Sequence, residues 1–153
     1  MNISAQESNE IRFPESFRLG KQDFLKSVVF LPFHNNEYLR ISNIKYNPGV
    51  IKDKKLLPNF VNDFDIDDIS QIYYEIYADA HTIDEEIASV LVIEFSSEEA
   101  LIKNMSDLES FILPTRFTLD KYVIVVRSEN REILEGISNY YVTHLGAKFY
   151  YPK

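Results

Sequence analysis

A chain of 153 residues, 45% of them apolar and only four glycine, has the length and the material for one ordered domain rather than a disordered segment. It has no cysteine, which excludes disulfides, thiolate catalysis, Cys-ligated zinc and iron–sulfur clusters. A formal net charge of −8 argues against nucleic acid as a partner, because that affinity comes chiefly from Lys and Arg on phosphates. No apolar run approaches the ~18 residues of a membrane-spanning helix.

Residues 1–10 are polar and acidic and read as a flexible N-terminal tail, leaving 11–153 as a single domain. The opening lacks the basic-then-apolar pattern of a secretory signal, which favours the cytoplasm. A periplasmic or secreted chain trimmed of its signal would begin in the same way. Residues 14–27 carry Phe17, Phe24 and Leu25 near helical spacing, broken by Gly20, predicting a short helix or two turns. "SVVFLPF" (27–33) is β-branched and aromatic, and "EYLRISNIKY" (37–46) alternates, so the two predict a hairpin across the turn "HNNE". After the turn "NPG", residues 50–68 show no sustained period and read as a long irregular connection.

"QIYYEIYADA" (71–80) sets Ile72, Tyr74, Ile76 and Ala78 on one face and Tyr73, Glu75, Tyr77 and Asp79 on the other, the pattern of a half-buried strand. The turn "HTIDEE" leads into the apolar strand "IASVLVIEF" (87–95), completing a second hairpin. Residues 96–112 predict a helix with a capping box from Ser96 to Glu99 and a stripe at Leu101, Met105, Leu108 and Ile112. "KYVIVVRS" (121–128) is an interior strand, 128–146 a helix capped by Ser128 and closed by Gly146, and "AKFYYP" (147–152) a last strand. The order predicts an α+β fold: one domain, a mixed β-sheet of two hairpins plus a β-α-β-α-β run with parallel neighbours, and helices mainly on one face.

The motifs of several chemistries are missing. Gly20, Gly49, Gly136 and Gly146 lie too far apart for a phosphate-binding or dinucleotide loop. An EF-hand beginning at Asp63 finds Asp65 and Asp67 in place, but Asp68 stands where glycine belongs and Tyr74 where glutamate belongs. His34, His81 and His144 share no metal-ligand spacing and no nucleophile elbow accompanies them. No catalytic residue, metal ligand or cofactor is therefore predicted.

What stands out is the distribution of charge. Residues 63–109 hold fourteen acids against one base, Lys103, whereas 11–62 hold nine bases against four acids. Displayed as one patch, such a block repels phosphate and attracts basic proteins. The expectation is a non-enzymatic binding protein, of the inhibitor or immunity-protein type, that docks a basic macromolecular partner. Its contact residues would be Asp63, Asp65, Asp67, Asp68, Tyr73, Glu75, Tyr77, Asp79, Asp84, Glu85 and Glu86, with tyrosines beside carboxylates as anchors. The alternative is a small-ligand-binding protein, or a carboxylate-dependent enzyme, with a pocket between the sheet and the 50–68 loop.

Overall fold

The computed structural model of the chain describes residues 10–20, 22–106 and 115–150. Within them one antiparallel sheet is built from β1 (Val28–Phe30), β2 (Gly49–Ile51), β3 (Ile69–Asp79), β4 (Thr82–Phe95), β5 (Thr115–Leu119), β6 (Tyr122–Ser128) and β7 (Lys148–Phe149). The order is β1-β3-β4-β6-β5-β7, and β2 pairs with the same edge of β3 that β1 uses, one half each. The α-helices are α1 (Glu37–Ile41), α2 (Glu98–Ser106) and α3 (Arg131–Asn139), the last running on as a π-turn over Tyr140–His144. The result is a single α+β domain. No helix among the described residues is long and apolar enough to cross a membrane. Residues 1–9 of the predicted tail, Leu108, Ile112 and the end of the last strand lie outside the described residues.

The sheet is antiparallel rather than mixed, and the cause is β5. "TRFTL" pairs with β6 through a tight turn at Asp120, whose positive φ of 51° suits an Asp. It lies between β6 and β7, so each strand–helix–strand unit joins parallel strands that are not neighbours. β4 reaches β5 across β6, and β6 reaches β7 across β5. β4 and β6 run in opposite directions while both crossovers step the same way across the sheet. Crossovers of one hand must then put α2 and α3 on opposite faces.

The helices are indeed divided in that way, not gathered on one face. Leu39 of α1 and Leu101 and Met105 of α2 pack on Ile72, Tyr74, Ile76, Ile93, Val123 and Val125. Ile133, Ile137 and Tyr141 of α3 and its π-turn pack with Phe17 and Leu19 on Tyr73, Tyr77, Val90, Val92, Phe117 and Ile124. Strand alternation sends these two sets to opposite sides, so β3 is buried on both faces.

Local chemistry moved other elements. Residues 37–41 are helix rather than strand, because Asn36 caps them: its Oδ1 accepts from the Leu39 N–H at 3.0 Å. β1 consequently pairs with β3, not with 37–46. The Asn47 side chain stitches the two turns of chain to β3, its Nδ2 donating to the carbonyls of Leu31 and Ile76, both at 2.8 Å, and its Oδ1 accepting from Ile76 N–H at 3.2 Å. At the first turn of α2 it is Ser97, not Ser96, whose hydroxyl accepts from Ala100 N–H. Asn130, not Ser128, caps α3, accepting from Ile133 N–H at 3.1 Å. Gly146 ends that helical stretch with a φ of 76°.

Candidate functional site

The acidic block does not form one surface. Asp63, Asp65, Asp67 and Asp68 precede β3, whereas Asp79, Asp84, Glu85 and Glu86 surround its far end. Ten strand steps separate Ile69 from Asp79, about 33 Å at the usual rise. The two groups also differ in how the fold treats them.

The first group is structural. Asp63 pairs with the enclosed guanidinium of Arg116 at 3.1 Å, and Asp68 with Lys103 at 2.9 Å, with Asp65 at 3.9 Å from the same ammonium. Asn104 on α2 donates to Asp68 at 2.9 Å and accepts from Asp65 N–H at 2.8 Å, which fastens the loop to the helix. Asp65 caps the 66–68 turn by accepting from Asp67 N–H. Lys103, and after it Asn104, hold the Asp68 carboxyl below its ordinary value. Asp67 alone of the four is exposed without an ion pair at 4 Å among the described residues.

The tyrosine face of β3 is closed to any partner. Tyr73, Glu75 and Tyr77 are 1%, 1% and 3% exposed, beneath the 15–25 segment and α3. Here the expectation of an exposed contact face is corrected: polar alternation on this strand serves an internal cluster. Tyr73 donates to Glu75 Oε2, Tyr77 donates to Oε1 at 2.5 Å, and Leu19 N–H donates to Oε2 at 3.4 Å. Burial raises the Glu75 carboxyl above its ordinary value, while the donors and nearby Arg18 pull it back. Burial also drives both phenols up, with the Glu75 charge adding to it, so they remain donors. Tyr141 donates to the Phe17 carbonyl at 2.7 Å, tying the same N-terminal segment to α3.

The second acidic group makes no ion pair among the described residues. Among the described residues no Lys or Arg lies within 4 Å of Asp79, Asp84, Glu85 or Glu86, nor of Glu129 just after β6. Asp79 accepts from His81 N–H in the turn, and Glu86 receives only a long 3.5 Å bond from Asn36. Asp79, Glu85, Glu86 and Glu129 line a groove of about 730 Å³ with Arg127 and Leu134. The same end of the sheet carries exposed apolar side chains: Val29 and Phe30 on opposite faces of the edge strand, Phe33, and Ile83 in the hairpin. Asn35 donates to the Ile83 carbonyl and Phe30 stacks on Tyr77, which places them at this end of the sheet.

A second groove, about 480 Å³, lies between the sheet, α1 and the 57–62 loop. Composition alone did not disclose Asn36, Tyr38, Phe60, Leu91 and Arg127 as its lining. One signal was present: Arg127 continues the alternation of Val123 and Val125, placing a cation on an otherwise apolar strand face. The histidines stay apart in role: His34 and His81 are exposed in turns and His144 stacks on Tyr140. No group of three metal-ligating side chains occurs among the described residues. Comparisons with protein-family models, with curated proteins and with solved structures found no match.

Proposed function

We propose that this chain is a non-enzymatic binding protein that docks a basic macromolecular partner at the turn end of the β3–β4 hairpin, in the manner of an inhibitor or immunity protein. The observation that carries the reading is the contrast between the two acidic groups. The fold pairs Asp63, Asp65 and Asp68 with Arg116 and Lys103 and leaves Asp79, Asp84, Glu85, Glu86 and Glu129 without such pairs among the described residues. Unpaired carboxylates repel one another and gain nothing from folding, whereas they steer and hold a cationic partner. Exposed Phe30, Phe33 and Ile83 add apolar surface at the same end of the sheet.

The test is affinity capture from a lysate, at low and high salt, with the retained proteins identified. The bait is wild type, Asp84→Lys/Glu85→Lys, or Asp67→Lys/Glu98→Lys, which changes charge equally at the other end. A basic protein held by wild type and by the distal variant, released by salt and lost with the hairpin variant, supports the reading. Retention of no basic protein, or equal retention by all three baits, refutes it.

A further inference from the structure

The groove beside α1 has features that partner docking at the hairpin does not use. Across β3, β4 and β6 the residues of one sheet face align in rows. The row Ile72–Ile93–Val123 is sealed beneath α2. The next, Tyr74–Leu91–Val125, is half-open at its centre, and the next, Ile76–Ser89–Arg127, opens further. β4 is an interior strand, yet Leu91 and Ser89 on it are only partly covered. Walls rise on one side from Tyr38 and Ile41, which are 51% and 63% exposed, and from Phe60. The Phe60 ring lies 6.0 Å from Tyr74 in a stack and 6.1 Å from Tyr38, so the wall is an ordered aromatic surface. A groove of about 480 Å³ that sets Leu91, Val125 and Phe60 beside the polar Asn36, Asn59, Asn62 and Ser89 offers a small molecule both apolar and hydrogen-bonding contacts.

Its polar end carries one cation, Arg127, and one anion, Glu86. They act on each other through space, since Arg127 draws the Glu86 carboxyl down against the upward push of desolvation. Even so, they make no ion pair within 4 Å. Each retains capacity for an opposite charge, and together they are neutral. A carboxylate alone meets Glu86 as a repulsion, and an amine alone meets Arg127. A molecule carrying both charged groups on one carbon satisfies the two at once and lays its apolar body over Leu91 and Phe60. We infer that this groove is a binding site for a small zwitterion of the α-amino-acid type with an aromatic or large aliphatic side chain. The site adjoins the hairpin contact surface and shares Glu86 and Arg127 with its groove, whereas Tyr38, Phe60 and Leu91 belong to this groove alone.

Calorimetric titration of the full chain with L-phenylalanine and L-leucine tests this, against glycine, phenethylamine and hydrocinnamate as ligands lacking one feature each. L-phenylalanine and L-leucine should bind saturably, and each incomplete analogue roughly tenfold or more weakly, the scale of one charge-assisted hydrogen bond. Arg127→Gln should weaken L-phenylalanine while leaving phenethylamine no worse, and Glu86→Gln should do the same with respect to hydrocinnamate. Both residues are exposed, and a thermal melt confirms that each variant is folded. Absence of saturable binding by both amino acids overturns the inference, as does binding of the analogues equal to that of L-phenylalanine. Indifference to both substitutions overturns it as well. Arg127→Gln leaves the hairpin carboxylates in place, so loss of amino-acid binding and loss of partner capture are separately visible.

Discussion

Glu75 offers the sharpest test of how the two faces of β3 are built. Replacing it by leucine keeps the volume but removes the acceptor for Tyr73, Tyr77 and the Leu19 N–H. Both phenols are buried, so each hydroxyl left without a partner costs about 1–3 kcal/mol. The two together amount to roughly 2–6 kcal/mol. That is a large share of the ~5–15 kcal/mol typical of a domain, and Glu75→Leu should lower the urea midpoint severely or fail to fold.

Glu75→Gln separates the charge from the hydrogen bonds. The amide accepts one hydroxyl and donates to the other, at a cost of about 1 kcal/mol. The wild-type carboxyl has its folded pKa raised above the ordinary 4.5, so the native state holds the proton more tightly than the unfolded chain does. The resulting stability is present in full below 4.5 and is lost as pH rises through the raised value. Urea unfolding of both proteins over a series of pH values should therefore show wild type losing its advantage over Glu75→Gln as pH increases, then levelling off. A difference independent of pH, or one that grows in favour of wild type with rising pH, would refute the burial argument. So would a Glu75→Leu protein as stable as wild type.

Four other outcomes follow from the packing. Asn47→Ala removes two hydrogen bonds to Ile76 of β3 and one to the Leu31 carbonyl, and should cost about 1–3 kcal/mol in the same urea assay. Asp63→Ala leaves the enclosed Arg116 guanidinium without its anion and should cost about 1–3 kcal/mol, with Arg116→Met in that background restoring much of the loss. Gly136→Ala should destabilise by about 1–3 kcal/mol despite better helix propensity, because its methyl would meet the Phe24 ring, and Phe24→Leu should relieve it. Asp68 should titrate below 3.8 by NMR and return toward it in Lys103→Met; its pairing is present above that value and is lost as pH falls through the lowered one.

The β3 and β4 strands, α3 and its closing Gly146 were legible because each carries a long periodic pattern or a backbone conformation that only some residues tolerate. Short elements were not. Five residues from Glu37 to Ile41 fit an alternating strand as well as one helical turn, and the Asn36 cap tipped the balance. "TRFTL" is only five residues long, between Pro114 and the turn at Asp120, and its omission turned an antiparallel sheet into an apparently mixed one. Of the candidate site, the positions of the acids along the chain were plain, but their division into a paired and an unpaired group depended on Arg116 and Lys103, distant in sequence.

The amino-acid order alone settled the domain class, the main strands and helices, and the excess of carboxylates in 63–109, because periodicity and charge are local properties of the chain. Alternation told which β3 residues share a side, yet not that both sides would be covered. Only the tertiary structure decided that Tyr73, Glu75 and Tyr77 turn inward and that the acids part to opposite ends of an eleven-residue strand. The physical reason is that burial belongs to whatever packs on a face. Here the 15–25 segment and α3, remote from β3 in sequence, close one side, while on the other side Leu91 and Ser89 of the neighbouring strand stay only partly covered.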